Sequence, residues 1–144
     1  ARPANDLASA APVTIQGGTV YASGEIATQY RSTASGASTT HLVSAANTNS
    51  TLVKNTTGKV LGWYFANTTA AWVYVKLHNQ ATAPTAGTGV IRTIAVPPSG
   101  VSQFFSEGGA TFTTGIGMTV VGGAVDSDNT SVTAAALVGD LVWV

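Results

Sequence analysis

The stretch Val60-Leu61-Gly62-Trp63-Tyr64-Phe65, followed by Trp72-Val73-Tyr74-Val75-Lys76-Leu77-His78, decides the fold class. Both segments keep a period of two, the repeat of a β-strand, in which successive side chains point to opposite faces. In the first, Leu61, Trp63 and Phe65 share one face. In the second, Val73, Val75 and Leu77 share a face, while Trp72, Tyr74, Lys76 and His78 take the other. Between them, Asn67-Thr68-Thr69-Ala70 offers turn chemistry, because an Asn side chain can bond its own backbone two residues on. The pattern predicts a hairpin with both apolar triplets turned to one core.

Working outward, β-branched and aromatic residues gather in further short runs bounded by Gly, Pro, Asn, Ser and Thr. Strands are predicted at residues 19–30, 41–45, 51–54, 59–66, 71–78, 90–96, 101–105, 116–121 and 137–144. Residues 79–89, with Pro84, Gly87 and Gly89, read as a loop. Pro97-Pro98-Ser99-Gly100 is a stop, since two prolines remove two backbone donors, and Asp126-Ser127-Asp128-Asn129-Thr130 is a third break. No stretch sustains a helical period, and residues 133–137 support at most a single turn. Many short strands with regular turn signals specify an antiparallel sandwich or barrel. Residues 1–18 are small and proline-punctuated, and read as an extended N-terminal arm ahead of a β domain at 19–144. Pro3 and Pro12 lower the entropy lost when such an arm lies on a surface, leaving Leu7, Val13 and Ile15 as its contacts to a neighbour.

A length of 144 residues with 44% hydrophobic residues supports one domain with a real core, and the positive mean hydropathy argues against disorder. Only 8% of residues are charged, against about 25% in an ordinary globular protein. Six basic and six acidic residues cancel, and no Lys/Arg cluster exists, which argues against a nucleic-acid or anionic-membrane partner. A neutral surface with little self-repulsion suits a protein packed against neighbours. No cysteine is present, so neither disulfides nor thiolate metal sites hold the fold. No apolar run has the length of a membrane span, and the start, Ala1 to Asp6, has no signal-peptide apolar region, so cytoplasmic synthesis is the expectation.

The inventory of reactive groups points away from catalysis. The histidines are His41 and His78, and no Gly-x-Ser-x-Gly elbow accompanies them. The acids Asp6, Glu25, Glu107, Asp126, Asp128 and Asp140 show no spacing that pairs two carboxyls across a cleft. Asp126 and Asp128 are weak metal candidates, since their loop lacks the Gly and the terminal Glu of a helix-loop-helix calcium site. Gly115-Ile116-Gly117 is not a dinucleotide fingerprint, and the four Asn-x-Ser/Thr sequons, at Asn49, Asn55, Asn67 and Asn129, are what an Asn- and Thr-rich chain throws up by chance. Neither an enzyme nor a cofactor is expected. Trp72 and Tyr74, opposite the aliphatic face, are either a buried anchor (in the core or against a partner) or a platform for a sugar ring, and burial is the favoured expectation.

From Val60 onward a series of segments carries a resemblance: Gly62-Trp63-Tyr64-Phe65-Ala66-Asn67-Thr68, Val73-Tyr74-Val75-Lys76-Leu77-His78-Asn79, Ala81-Thr82-Ala83-Pro84, Ile94-Ala95-Val96-Pro97, Phe112-Thr113-Thr114-Gly115-Ile116-Gly117, and Gly123-Ala124-Val125-Asp126-Ser127-Asp128-Asn129-Thr130. In order and spacing these resemble the small β-sandwich virion proteins of tailed bacteriophages. The resemblance implies a jelly-roll-like sandwich used to build or decorate the particle. It implies a capsid decoration or cement protein in the virion, bound to the major capsid protein or other virion proteins, and a homo-oligomer, with a trimer expected by analogy. It supplies no catalytic residue. A tail- or fibre-associated adhesin for host glycan, or a carbohydrate-binding module, is the alternative.

Overall fold

The computed structural model describes Gly18–Val20, Ile26–Thr28 and residues 36–144. The chain divides into two compact units, Ala1–Ser35 and Gly36–Val144. In the first, β1 (Gly18–Val20) and β2 (Ile26–Thr28) pair antiparallel, Thr19 opposite Ala27, as a two-stranded sheet of their own. The expected single strand at 19–30 is therefore two short ones; Ser23-Gly24, a turn dipeptide, marks the interruption in the sequence. The unit boundary lies after Ser35 and not near residue 18. Leu7, Val13 and Ile15 lie outside the described residues.

The second unit contains β3 (Ser38–Val43), β4 (Thr51–Lys54), β5 (Gly58–Asn67), β6 (Val73–His78), β7 (Val90–Val96), β8 (Val101–Phe112), β9 (Ile116–Val121) and β10 (Leu137–Trp143). They form two four-stranded sheets, β3-β10-β5-β8 and β4-β9-β6-β7, with every pairing antiparallel. Counting from β3, one sheet takes the first, eighth, third and sixth strands, and the other the second, seventh, fourth and fifth. This is the strand order of a jelly roll, so the expected all-β sandwich is what forms.

The expected hairpin does not form. β5 pairs with β10 and β8, whereas β6 pairs with β7 and β9, so the two segments lie in different sheets. The turn chemistry at Asn67 is nevertheless used: its Oδ1 accepts from Thr69 N (2.9 Å) and Thr69 Oγ1 (2.8 Å). Its Nδ2 donates to Ala71 O (2.7 Å) and to Val96 O on β7 (3.1 Å), tying the crossing chain to the second sheet. Both apolar sets do reach one core, but from opposite sides of it. Val73, Val75 and Leu77 are buried on one sheet, Phe65 and Val60 on the other.

The alternation on β5 also shifts. Its register against β8 slips between Val60 and Gly62, where four residues of β8, Ser106 to Gly109, face one of β5. That bulge puts Val60 into the core in place of Leu61, while Trp63 packs at the margin. Gly109, at φ +66, and the bulge let β8 run on to Phe112, seven residues beyond the expected strand end at 105.

The two outer faces differ. On β6 and β9 the outward side chains Lys76, His78, Thr119 and Val121 are buried. They lie beneath residues 79–89, where Pro84 rests on Gly117, and beneath residues 122–136, whose Ala124 and Val125 carbonyls accept hydrogen bonds from Lys76. Among the described residues the β3-β10-β5-β8 sheet has no such roof, and Val43, Tyr64, Val101 and Phe105 are exposed.

The roof gives a pH prediction. His78 is fully buried near the Thr88–Gly89 backbone; its Nε2 lies 2.9 Å from Thr119 Oγ1, and Nδ1 has no hydrogen-bond partner among the described residues. Burial, outweighing the smaller raising effect of that backbone, pushes the imidazole below its ordinary value. Between the lowered folded value and the unfolded one the denatured chain binds more protons, so stability is complete above about pH 6.5 and is lost as pH falls below it. Urea midpoints should drop from about pH 7.5 to about pH 5, and His78→Gln should flatten that slope. An equal slope in both proteins rules His78 out as its source.

Candidate functional site

The open sheet is built so that its strands put matched residues in rows. Tyr64 on β5 sits opposite Asp140 on β10 and Gln103 on β8, and Asp140 sits opposite His41 on β3. The row His41–Asp140–Tyr64–Gln103 therefore crosses all four strands on the solvent face. His41 Nδ1 and Asp140 Oδ1 are 2.9 Å apart, with both side chains well exposed. The next row is Thr39, Val142, Gly62 and Phe105. On the other flank lie Val43, Val138, Ala66 and Val101. A polar stripe thus runs between two apolar ones.

Gly62 has a specific part in this surface. A Cβ there would collide with the Phe104 carbonyl oxygen and come within 3.0 Å of Phe105 Cα, so the close approach of β8 at the bulge requires glycine. Between Val142 and Phe105 the sheet dips. The dip is an open hollow of about 710 Å³ lined by Thr39, Trp63, Tyr64, Gln103, Phe104, Phe105, Asp140 and Val142. Its β8 margin is braced from beneath. Trp63 and Phe104 rings lie 5.1 Å apart, Arg92 of β7 covers both at 5.3 and 6.0 Å, and Trp63 Nε1 donates to Ser102 Oγ at 3.1 Å.

The residues singled out in the sequence sit elsewhere. Trp72 and Tyr74 stack with centroids 6.3 Å apart at 19°, and Trp72 is 49% exposed. The expected burial is therefore not met within this chain's own core: the pair forms an outward platform beside the roofed sheet. Asp128 Oδ1 accepts from Thr130 Oγ1 (2.6 Å), Thr130 N (3.0 Å) and Gly123 N (3.2 Å), which organises the loop as an Asx turn. The Thr130 hydroxyl, foremost among these bonds, holds its carboxyl below the usual carboxylate range. Asp126 lies 4.0 Å from the Lys76 ammonium, a cation already at hand. Among the described residues no three His, Cys, Asp or Glu side chains gather to hold a metal. Glu25 lies outside the described residues, and Glu107 is exposed in the β8 bulge.

Tyr64, Gln103, Phe105, His41 and Asp140 were not assembled from the sequence. The period-two pattern did carry a signal, since Tyr64 and Gly62 are the outward partners of Phe65 and Trp63. What it lacked was pairing: His41 and Asp140 are 99 residues apart and meet only because the first and last strands of the sandwich are neighbours. No family model, curated protein or solved structure matches the chain.

Proposed function

We propose that this chain is a non-enzymatic structural protein of a bacteriophage virion, a capsid decoration or cement protein held to the outer head surface by protein–protein contact. The observation that carries this reading is the Trp72–Tyr74 platform, a half-exposed Trp72 ring stacked on a partly buried Tyr74, on a body with only six acidic and six basic residues. Exposed aromatics on a neutral surface are the anchors that protein interfaces use, and charge is depleted at interface centres. The jelly roll is used by viral capsid and lectin domains alike, so the weight falls on the surface and not on the fold. Neutral Thr- and Ala-rich exteriors also favour self-association, and a trimer is the proposed assembly.

Gold-labelled antibody to this chain should mark the heads of purified particles at regular positions. Trp72→Ala should melt like the parent yet bind particles stripped of the protein about thirty-fold more weakly, the equivalent of about 2 kcal/mol for an interface anchor. Label confined to tails, or full-strength binding by Trp72→Ala, would refute attachment to the head through this platform. Light scattering that finds a monomer at high concentration counts against the trimer.

A further inference from the structure

We propose that the hollow on the β3-β10-β5-β8 sheet binds a neutral saccharide, one sugar ring lying against Phe105 with its hydroxyls on the Asp140–Tyr64–Gln103 row. Val142 and Phe105 stand two strand spacings apart, roughly 9–10 Å, and both line the hollow. Phe105, 66% exposed, offers a bare aromatic face for the C–H side of a pyranose. The lining groups are of both hydrogen-bonding kinds: the Tyr64 hydroxyl, the Gln103 amide and the Asp140 carboxylate along one wall, and the Thr39 hydroxyl in the row beside it. A ligand bristling with hydroxyls, each both donor and acceptor, matches such a row.

The charges narrow the ligand class further. Among the described residues no Lys or Arg lines the hollow, so none of them compensates a phosphate, sulfate or uronate. The one charged lining residue, Asp140, has Oδ1 engaged by His41, which steadies the carboxylate and leaves its second oxygen to accept from a hydroxyl. A second copy of the chain is a poorer occupant. Packing this face dry against protein would bury the exposed Asp140 carboxylate with His41 and Gln103, and desolvating a carboxylate is costly. A hydrated, hydroxyl-rich ligand keeps those groups satisfied. The volume of about 710 Å³ is within the usual range of small-ligand pockets.

Titration of the full chain with maltotriose, cellotriose, mannotriose and the β-1,4-linked trimer of N-acetylglucosamine, followed by calorimetry and by amide chemical shifts, tests the site. At least one probe should bind with Kd on the order of 1 mM, typical of a single open subsite, and shift the amides of Gly62, Gln103 and Phe105. Phe105→Ala and Gln103→Ala alter exposed side chains and should melt like the parent while weakening that probe about ten-fold each. Trp72→Ala, on the other sheet, should bind it unchanged. No binding by any probe up to about 20 mM overturns the proposal. So does binding that both hollow variants leave intact, or binding lost only in Trp72→Ala, which would move the sugar to the other platform. Self-association abolished by Phe105→Ala would give the face to a second copy instead.

Discussion

Val75→Asp is expected to leave the chain unfolded at room temperature. Val75 is fully buried at the centre of the β4-β9-β6-β7 sheet, opposite Ile94 on β7 and Val120 on β9, both buried as well. Across the core it meets a wall that includes Phe65, Leu137 and Leu141. None of these side chains can donate a hydrogen bond, so an aspartate there must stay charged without a partner or take up a proton and remain an unsatisfied polar group. Either way the cost is several kcal/mol, to which the lost burial of two methyl groups adds about 1.5 kcal/mol. A domain of this size holds about 5–15 kcal/mol in total, so the variant sits at or below the threshold. Val75→Ala, which only opens a small cavity, should fold with a lower urea midpoint and an unchanged slope, giving the scale for comparison. Circular dichroism and a thermal melt decide the matter. An aspartate variant that melts where the parent does would mean that the side chain at 75 points to solvent and that β6 is one residue out of register.

Val75 also shows what the sequence could and could not disclose. Alternation fixes which side of a strand is apolar, and for Val73, Val75 and Leu77 it assigned the buried face correctly. It says nothing about whether the next apolar strand lies alongside or across the core, because both arrangements give the same inward pattern. In a jelly roll most successive strands cross between sheets; within β3 to β10 only β6 and β7 are consecutive neighbours in one sheet. A hairpin between β5 and β6 was therefore the local answer to a non-local question. The polar loops at residues 79–89 and at Pro97-Pro98-Ser99-Gly100 were legible because Gly and Pro act on their own backbone. The bulge opposite Leu61 was not, since it depends on which part of β8 pairs with β5. The hollow inherits that limit: Gly62 reads as a weak spot in a strand until Phe105 and Val142 are placed on either side of it. The outward set Tyr74, Lys76 and His78 failed in a different way. Burial of this face was the favoured expectation for Trp72 and Tyr74, yet it is Lys76 and His78 that loops cover, and a loop's resting place leaves no periodic trace in the sequence.

Lys76→Met is the sharpest probe of that covered face, and it should cost about 2–3 kcal/mol, on the scale of leaving one buried polar group without its partner. The side chain of Lys76 is fully buried, with Nζ 2.5 Å from Ala124 O, 3.3 Å from Val125 O and 3.1 Å from Thr93 Oγ1, and with the Tyr74 ring 5.6 Å away. A buried ammonium is tolerated because its three donors meet three acceptors, and Asp126 at 4.0 Å adds only a screened attraction, since that carboxylate is 73% exposed. Methionine keeps the length and the packing of the stem but removes every donor. The relief of ammonium desolvation offsets part of the loss, and the Ala124 and Val125 carbonyls must then find water, which they can do only if residues 122–136 lift. The expected signature is therefore local as well as global. Hydrogen exchange should speed up at Gly122 and Asp128, whose amides bond Thr130 O and Val125 O within that loop, while Val75 and Val120 keep their protection. A variant as stable as the parent, with the loop still protected, would show that the ammonium's own desolvation cancels its hydrogen bonds, and that apolar contacts such as those of Val132 and Ala136 with the core are what hold the roof down.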